Sequence, residues 1–254
     1  MQQFWATDPS VPARAVEREH VLPSGAGHLV FRLGGPPARV LEGAQGTSLP
    51  RAVVGGPRSR YYAKEVSGPA RSVGVQLWPS AFGILTDAPA SELANRHVAL
   101  EDLWGSMASS VHQRLGDLTD PEAAIDYVEG VLMARLARVR VPHPAVAAAL
   151  GGLVATGDVA SAVQASGRSH RVFVERFRET MGVTPKVFCR TQRFLRTLDA
   201  VADDDWSLSE VAMRFGYADQ SHLNREFREF AGVTPGQYRR ATPRHRLHLP
   251  VTPG

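Results

Sequence analysis

The chain has 254 residues, 43% hydrophobic and 21% charged, with a formal net charge of +4. That balance belongs to a folded protein with a real core, and the length suits two domains. No apolar run approaches the roughly 18 residues needed to span a bilayer. The opening MQQFWATDPS has neither the basic nor the apolar part of a secretory signal. A single cysteine, Cys189, excludes an internal disulfide and a Cys-rich zinc site, and the expected location is the cytoplasm. Residues 1–143 carry 14 Lys+Arg against 14 Asp+Glu, and residues 144–254 carry 15 against 11, so the whole surplus lies in the second part. Lysine occurs only at Lys64 and Lys186. Arginine's planar fork suits phosphates and guanine edges, although a GC-rich genome produces the same bias.

Up to about residue 79 the chain reads as strands, at 28–33, 38–43, 51–56, 61–66 and 71–79. Each is short, rich in Val, Leu and aromatic residues, and bounded by clusters such as Gly34-Gly35-Pro36-Pro37 and Gly55-Gly56-Pro57. Spacing of about 10–12 residues predicts a small antiparallel barrel or sandwich. From Ala81 the period becomes helical. Pro121 stands where a helix begins, with Asp120 or Thr119 as its cap. Ile125, Val128, Leu132, Leu136 and Val139 then form a stripe, with Glu129, Arg135 and Arg138 on the other face. The stripe either packs on its own domain or forms a dimer seam. Pro142 and Pro144 mark a boundary. Helices follow almost to the end, where RHRLHLPVTPG is expected to be a frayed tail.

Residues 169–188, SHRVFVERFRETMGVTPKVF, align with residues 219–238, DQSHLNREFREFAGVTPGQY. Phe177-Arg178-Glu179 matches Phe227-Arg228-Glu229, Gly182-Val183-Thr184-Pro185 matches Gly232-Val233-Thr234-Pro235, and Ala162 upstream matches Ala212. One supersecondary unit therefore occurs twice. In the second copy Ser207 and Glu210 form a capping box, opening a helix through Leu208, Val211, Ala212 and Phe215. Gly216 ends it, and a second helix from about Gln220 buries Leu223 and Phe227 against the first. Two helices joined by a short glycine turn make a helix-turn-helix. The first copy uses Ala162, Gly167, Phe173, Phe177, Gly182, Thr184 and Pro185 in the same way. Between the copies, Pro185 to about Ala202 reads as one helix, ended by Asp203-Asp204-Asp205.

The segment LSEVAMRFGYADQSHLNREFREFAGVTPGQYRR (208–240) closely resembles the signature of the AraC/XylS family of bacterial transcription regulators. Ala212, Gly216, Tyr217, Ser221, Arg225, Phe227, Gly232, Thr234, Pro235 and Arg239 carry the match; residues 145–202 resemble the family's first unit more loosely. The resemblance implies two recognition helices entering successive major grooves on one DNA face. The N-terminal region is similar to cupin-like sensor domains of the family, through VGGPRSR and LEDLWG. The expected fold class is α+β. A small antiparallel cupin-like barrel or sandwich plus helices precedes an all-α domain of two helix-turn-helix units joined by a linker helix. The expected domains are 1–105 for sensing, 106–143 as a helical linker or dimerisation segment, and 144–254 for DNA binding, with units at about 145–184 and 207–240.

With Leu223 and Phe227 inward, Ser221, His222, Asn224 and Arg225 are left to face bases. Arg225 suits guanine O6/N7 and Asn224 suits adenine. Arg228 and Arg239 sit nearer the rim, where contacts to phosphate position without specifying. The first unit offers Arg171, Val172, Val174 and Glu175. The family usually has a base-reading arginine where Glu175 stands. Glu175 could accept from cytosine N4, or be neutralised by Arg176 or Arg178. Val174 could only contact a thymine methyl. Candidate pocket residues in the strand region are Arg32, Arg51, Tyr62, Gln76 and Trp78.

The expected partners are double-stranded DNA, RNA polymerase if the protein activates, a small-molecule effector and a second copy in a homodimer. No membrane, cofactor or metal is expected, and no enzyme. Three alternatives stand beside this reading: a cupin-like enzyme fused to a DNA-binding module, a repair protein using Cys189, and an N-terminal domain serving only dimerisation. His20 and His28 lie eight apart without a His-x-His in the strand region, His245 and His248 lie in the tail, and Cys189 stands alone.

Overall fold

The structure is a computed structural model that describes residues 3–7, 17–42, 45–66, 70–137, 144–203, 205–241, 243 and 245–251. Arg138, Val139, Pro142 and Asp204, named above, lie outside the described residues, as do the last residue of the strand expected at 38–43 and positions 244 and 252–254 of the expected tail.

The strands are β1 (Gln3–Thr7), β2 (Glu17–Val21), β3 (Gly27–Arg32), β4 (Arg39–Glu42), β5 (Gln45–Ser48), β6 (Ala52–Gly55), β7 (Tyr62–Val66), β8 (Ser72–Leu77), β9 (His97–Ala99) and β10 (His248–Val251). They build two five-stranded antiparallel sheets, ordered β1-β8-β3-β6-β9 and β10-β2-β7-β4-β5. The helices α1 (Pro79–Thr86), α2 (Ala90–Leu93), α3 (Glu101–Trp104), α4 (Ser106–Asp117) and α5 (Pro121–Leu136) complete the N-terminal part. The rest is helical: α6 (Pro144–Thr156), α7 (Val159–Ala165), α8 (His170–Met181), α9 (Pro185–Ala202), α10 (Leu208–Arg214), α11 (Gln220–Ala231) and α12 (Pro235–Ala241). The fold is thus the expected α+β arrangement of paired sheets followed by an all-α part.

Alternation decides which face of the first sheet is sealed. Leu29 and Phe31 of β3, Val54 of β6, and Val73, Val75 and Leu77 of β8 point to one side. There they pack with Phe82, Leu85, Trp104, Val111 and Leu115. Ala124, Val128 and Leu132 join the same core, with Ile125 and Leu136 against it. The α5 stripe therefore packs on its own domain, and its start is capped by Asp120, whose carboxylate accepts from the N–H groups of Glu122 and Ala123. Two further cores lie in the helical part. Phe173, Phe177, Met181 and Phe188 centre one; Phe194, Leu198, Leu223, Phe227, Phe230 and Tyr238 centre the other. Helix α9 feeds both, Phe188 at its start and Phe194, Leu198 and Val201 farther on.

Residues 245–251 are not the frayed tail that was expected there. β10 pairs with β2, Leu249 opposite His20 and His248 opposite Val21, and Leu249 is buried with Leu22 in the core of the second unit. An apolar residue between polar neighbours gives little sequence signal, yet burial of Leu249 and four paired residues outweigh the disorder expected of a terminus.

Candidate DNA interface and the inter-sheet space

The local signals of the second unit are realised. Ser207 Oγ accepts from Glu210 N–H, and Glu210 Oε2 accepts from Ser207 N–H. Asp219 opens α11 by accepting from His222 N–H at 2.6 Å. Gly232 ends it at φ +75°, a left-handed conformation that glycine adopts without strain. Leu223, Phe227, Phe230 and Ala231 are sealed inward, and Ser221, Arg225 and Arg228 are exposed. Asn224 is half-buried at the edge of the exposed face.

Two residues expected at DNA also hold the scaffold. His222 Nδ1 accepts from Ala218 N–H at 3.2 Å, and its ring meets Tyr217 edge-on at 5.4 Å, so it braces the turn. Arg239 donates to the carbonyls of Val201 and Trp206, both at 2.8 Å, tying α12 to the end of α9. Both contacts form because an open backbone carbonyl or N–H lies within reach, which helical spacing alone does not reveal.

A clamp that helical spacing did not reveal stands behind α11. Glu226 lies on the inward face of α11 and is only 4% exposed. It accepts from Arg190 Nε at 2.9 Å and Arg193 Nη2 at 2.8 Å, both on α9. Arg190 also holds Glu229, and Arg193 donates to Gly216 O at 3.2 Å. The guanidiniums lie over aromatic faces as well, Arg193 over Tyr217 at 4.5 Å and Arg190 over Phe230 at 5.1 Å. A carboxylate that deep needs such partners. The available signal was a glutamate in an otherwise apolar stripe.

In the first unit Asp158 caps α7, Ser169 caps α8, and Thr184 caps α9. Arg171, Val172 and Glu175 are exposed on α8. Val174 is not; it packs against the first unit's core, being one residue past Phe173 on the helix. Arg176 pairs with Glu179 at 2.9 Å rather than with Glu175. The far end of α8 rests on the N-terminal part: Gly182 sits beside Ala90 O and Pro57.

A family described as a helix-turn-helix domain matches residues 162–241, and one described as a domain of unknown function, DUF6597, matches residues 1–99. The DNA-binding domain of AdpA, the global transcriptional factor, solved in complex with a target DNA, is 30% identical. That match covers 38% of this chain and 90% of that one, with a TM-score of 0.35. The chain belongs to the AraC/XylS family. It is a DNA-binding transcription regulator of the AraC type. ToxT from Vibrio cholerae was also matched. One structure is 10% identical over 93% of this chain and 97% of that one, TM-score 0.47. Another, bound to an unsaturated fatty acid, is 11% identical over 94% and 96%, TM-score 0.48. Likeness at that level carries nothing over to this chain.

In this AraC/XylS member the second face of the first sheet looks onto the second sheet. The Tyr62 ring meets His97 at 4.8 Å, and Arg58 lies 4.1 Å over Tyr62. Register puts His28 beside Gln76 and Gly55, and a Cβ on Gly55 would fall 2.2 Å from the His28 ring. Across the gap, Glu19 accepts from Lys64 at 2.8 Å and from His248 Nδ1 at 3.0 Å. Burial works against the Glu19 charge, but the His248 hydrogen bond and the Lys64 cation hold its carboxyl down to about 2. Burial and the Arg58 charge push His28 down to about 3 and His97 to about 2, so both are neutral at pH 7. His28, Val30, Arg32, Tyr62 and Gln76 nevertheless keep accessible surface, while Leu29 and Phe31 between them keep almost none. These side chains lie between the two sheets without giving up all of their surface. Of the candidate pocket residues, Arg32, Tyr62 and Gln76 lie between the two sheets, Arg51 is exposed in the loop before β6, and Trp78 is 52% exposed between β8 and α1. Among the described residues no group of three His, Cys, Asp or Glu is placed to hold a metal, and no helix is long and apolar enough to cross a membrane.

Proposed function

We propose that α8 and α11 are recognition helices reading two successive major grooves. Ser221, Asn224 and Arg225 face bases from α11, and Arg171 and Glu175 from α8. Arg228 and Arg176 contact phosphate, His222 and Arg239 hold the second unit in shape, and Val174 supports α8 from behind. The observation that carries this reading is α11 itself, with Ser221 and Arg225 exposed along the face opposite a sealed stripe and the helix clamped to α9 through Glu226. The domains follow as 1–105 for sensing, 106–143 as a helical segment whose α4 and α5 share the first sheet's core, and 144–254 for DNA. The space between the sheets supports an effector site lined by Arg32, Tyr62 and Gln76. The reading is of a regulator rather than an enzyme, acting in the cytoplasm on duplex DNA. RNA polymerase is its partner where it activates, and a second copy pairs with it on paired sites.

Genome-wide mapping of bound sites followed by footprinting is the test. Two protected patches about 10 base pairs apart on one face are expected. Protection confined to a single groove would sink the two-helix reading.

A further inference from the structure

His97 Nδ1 lies 2.8 Å from Arg58 Nη2. A guanidinium only donates, so Nδ1 accepts and the ring proton sits on Nε2. That Nε2–H is buried without a partner among the described residues, and so is the Nε–H of Arg32. Both unpartnered groups are donors on the same face of the first sheet. Arg32 and Lys64 bring positive charge to that interior, and Glu19, which faces them, is already held by Lys64 and His248. Buried donors without acceptors are costly, and donors amid surplus positive charge suit an acceptor that carries negative charge.

The wall of the same space includes the chain's end. Alternation along β10 sends His248 inward, on the side of Val21 and Tyr62, and sends Leu249 outward into the core of the second unit. The neighbouring strand repeats the pattern: Glu19 faces in, while His20 faces out and donates from Nδ1 to Ala231 O at 2.8 Å. The residues before β10 are tied to the same unit, because Tyr238 hydroxyl donates to Arg246 O at 2.7 Å.

We propose that the inter-sheet space binds a small organic anion, a carboxylate or a phosphate ester. Its wall is completed by the C-terminal strand, so an occupant acts directly on the strand that is built into the second helix-turn-helix. The proposal rests on the sensing reading above and adds the class of ligand and the route of coupling.

The full-length protein is titrated with mono- and dicarboxylates of two to eight carbons and with glycerol phosphates, each matched by its neutral alcohol. Thermal unfolding and affinity for an operator duplex are followed together. An anion is expected to raise the melting temperature by several degrees where its alcohol does not, and to change DNA affinity by about fivefold or more. Arg32→Met should abolish the shift. If that variant fails to fold, Arg32→Lys keeps the charge but removes the Nε donor, and should weaken the shift. His248→Ala should bind DNA but lose most of the anion's effect on it. Stabilisation by neutral compounds alone would overturn the anion while leaving a sensing domain. An anion effect that survives intact in His248→Ala would overturn the coupling route. No stabilisation by any of these compounds would overturn the site itself, without touching DNA recognition.

Discussion

Arg225 and Arg228 lie three residues apart on α11, both exposed, yet they should fail differently when removed. Arg225 lies on the outward face, so Arg225→Ala should cost about 1–3 kcal/mol at one base position and relax preference there. Arg228→Ala should weaken all sequences alike and lower the salt slope by about one unit. Binding measured over a set of single-base operator variants separates the two, and identical preference profiles would refute the assignment. Histidine protonation gives a second expectation. His28 and His97 have folded pKa values of about 3 and about 2, below the ordinary 6.5. Their stability is complete above pH 6.5 and is lost as pH falls toward those values, because the unfolded chain takes up protons that the fold refuses. Each should cost about 1.4 kcal/mol per pH unit in that window. Glu19 adds a loss only below its ordinary 4.5. Unfolding of the sheets followed from pH 7 to 5 is the check, and flat stability over that range would contradict the buried, neutral rings. Arg225 was legible because one helix's period fixes its direction. The histidines were not, because only pairing between distant strands brings them together.

Helix α11 is held less by its own sequence than by α9. Removing Glu226 leaves Arg190 and Arg193 facing each other, with 27% and 24% of their side-chain surface exposed. Glu226→Gln should therefore cost on the order of 2–3 kcal/mol, below a fully buried pair. An unchanged melting temperature together with unchanged operator affinity would show the clamp to be dispensable. Ser207→Ala, which removes the capping box, should cost about 1 kcal/mol. Caps, turn glycines and the extent of α9 were readable because their physics spans four residues. Strands β1, β5, β9 and β10 were not, since an edge strand needs only one partner and little apolar sequence. β2 was hidden by its charges, Glu17, Arg18 and Glu19.

The two cores of the helical part lie almost wholly within residues 144–254, so that fragment should fold and bind operator DNA by itself. It should melt a few degrees lower than in the whole chain, since Leu249 loses Leu22 and β10 loses β2. A gel-shift with a soluble, folded fragment checks this, and absence of affinity would refute either the boundary or the site. The halves looked separable in sequence because a contact such as His248 to Glu19 joins positions 229 residues apart. That separation also sets an order of events during synthesis. β2 leaves the ribosome 229 residues before β10, so one side of β2 waits, unpaired, while that whole stretch is made. An open edge invites pairing with other chains. The charges on β2 that concealed it in the sequence are what keeps that edge soluble until its partner arrives.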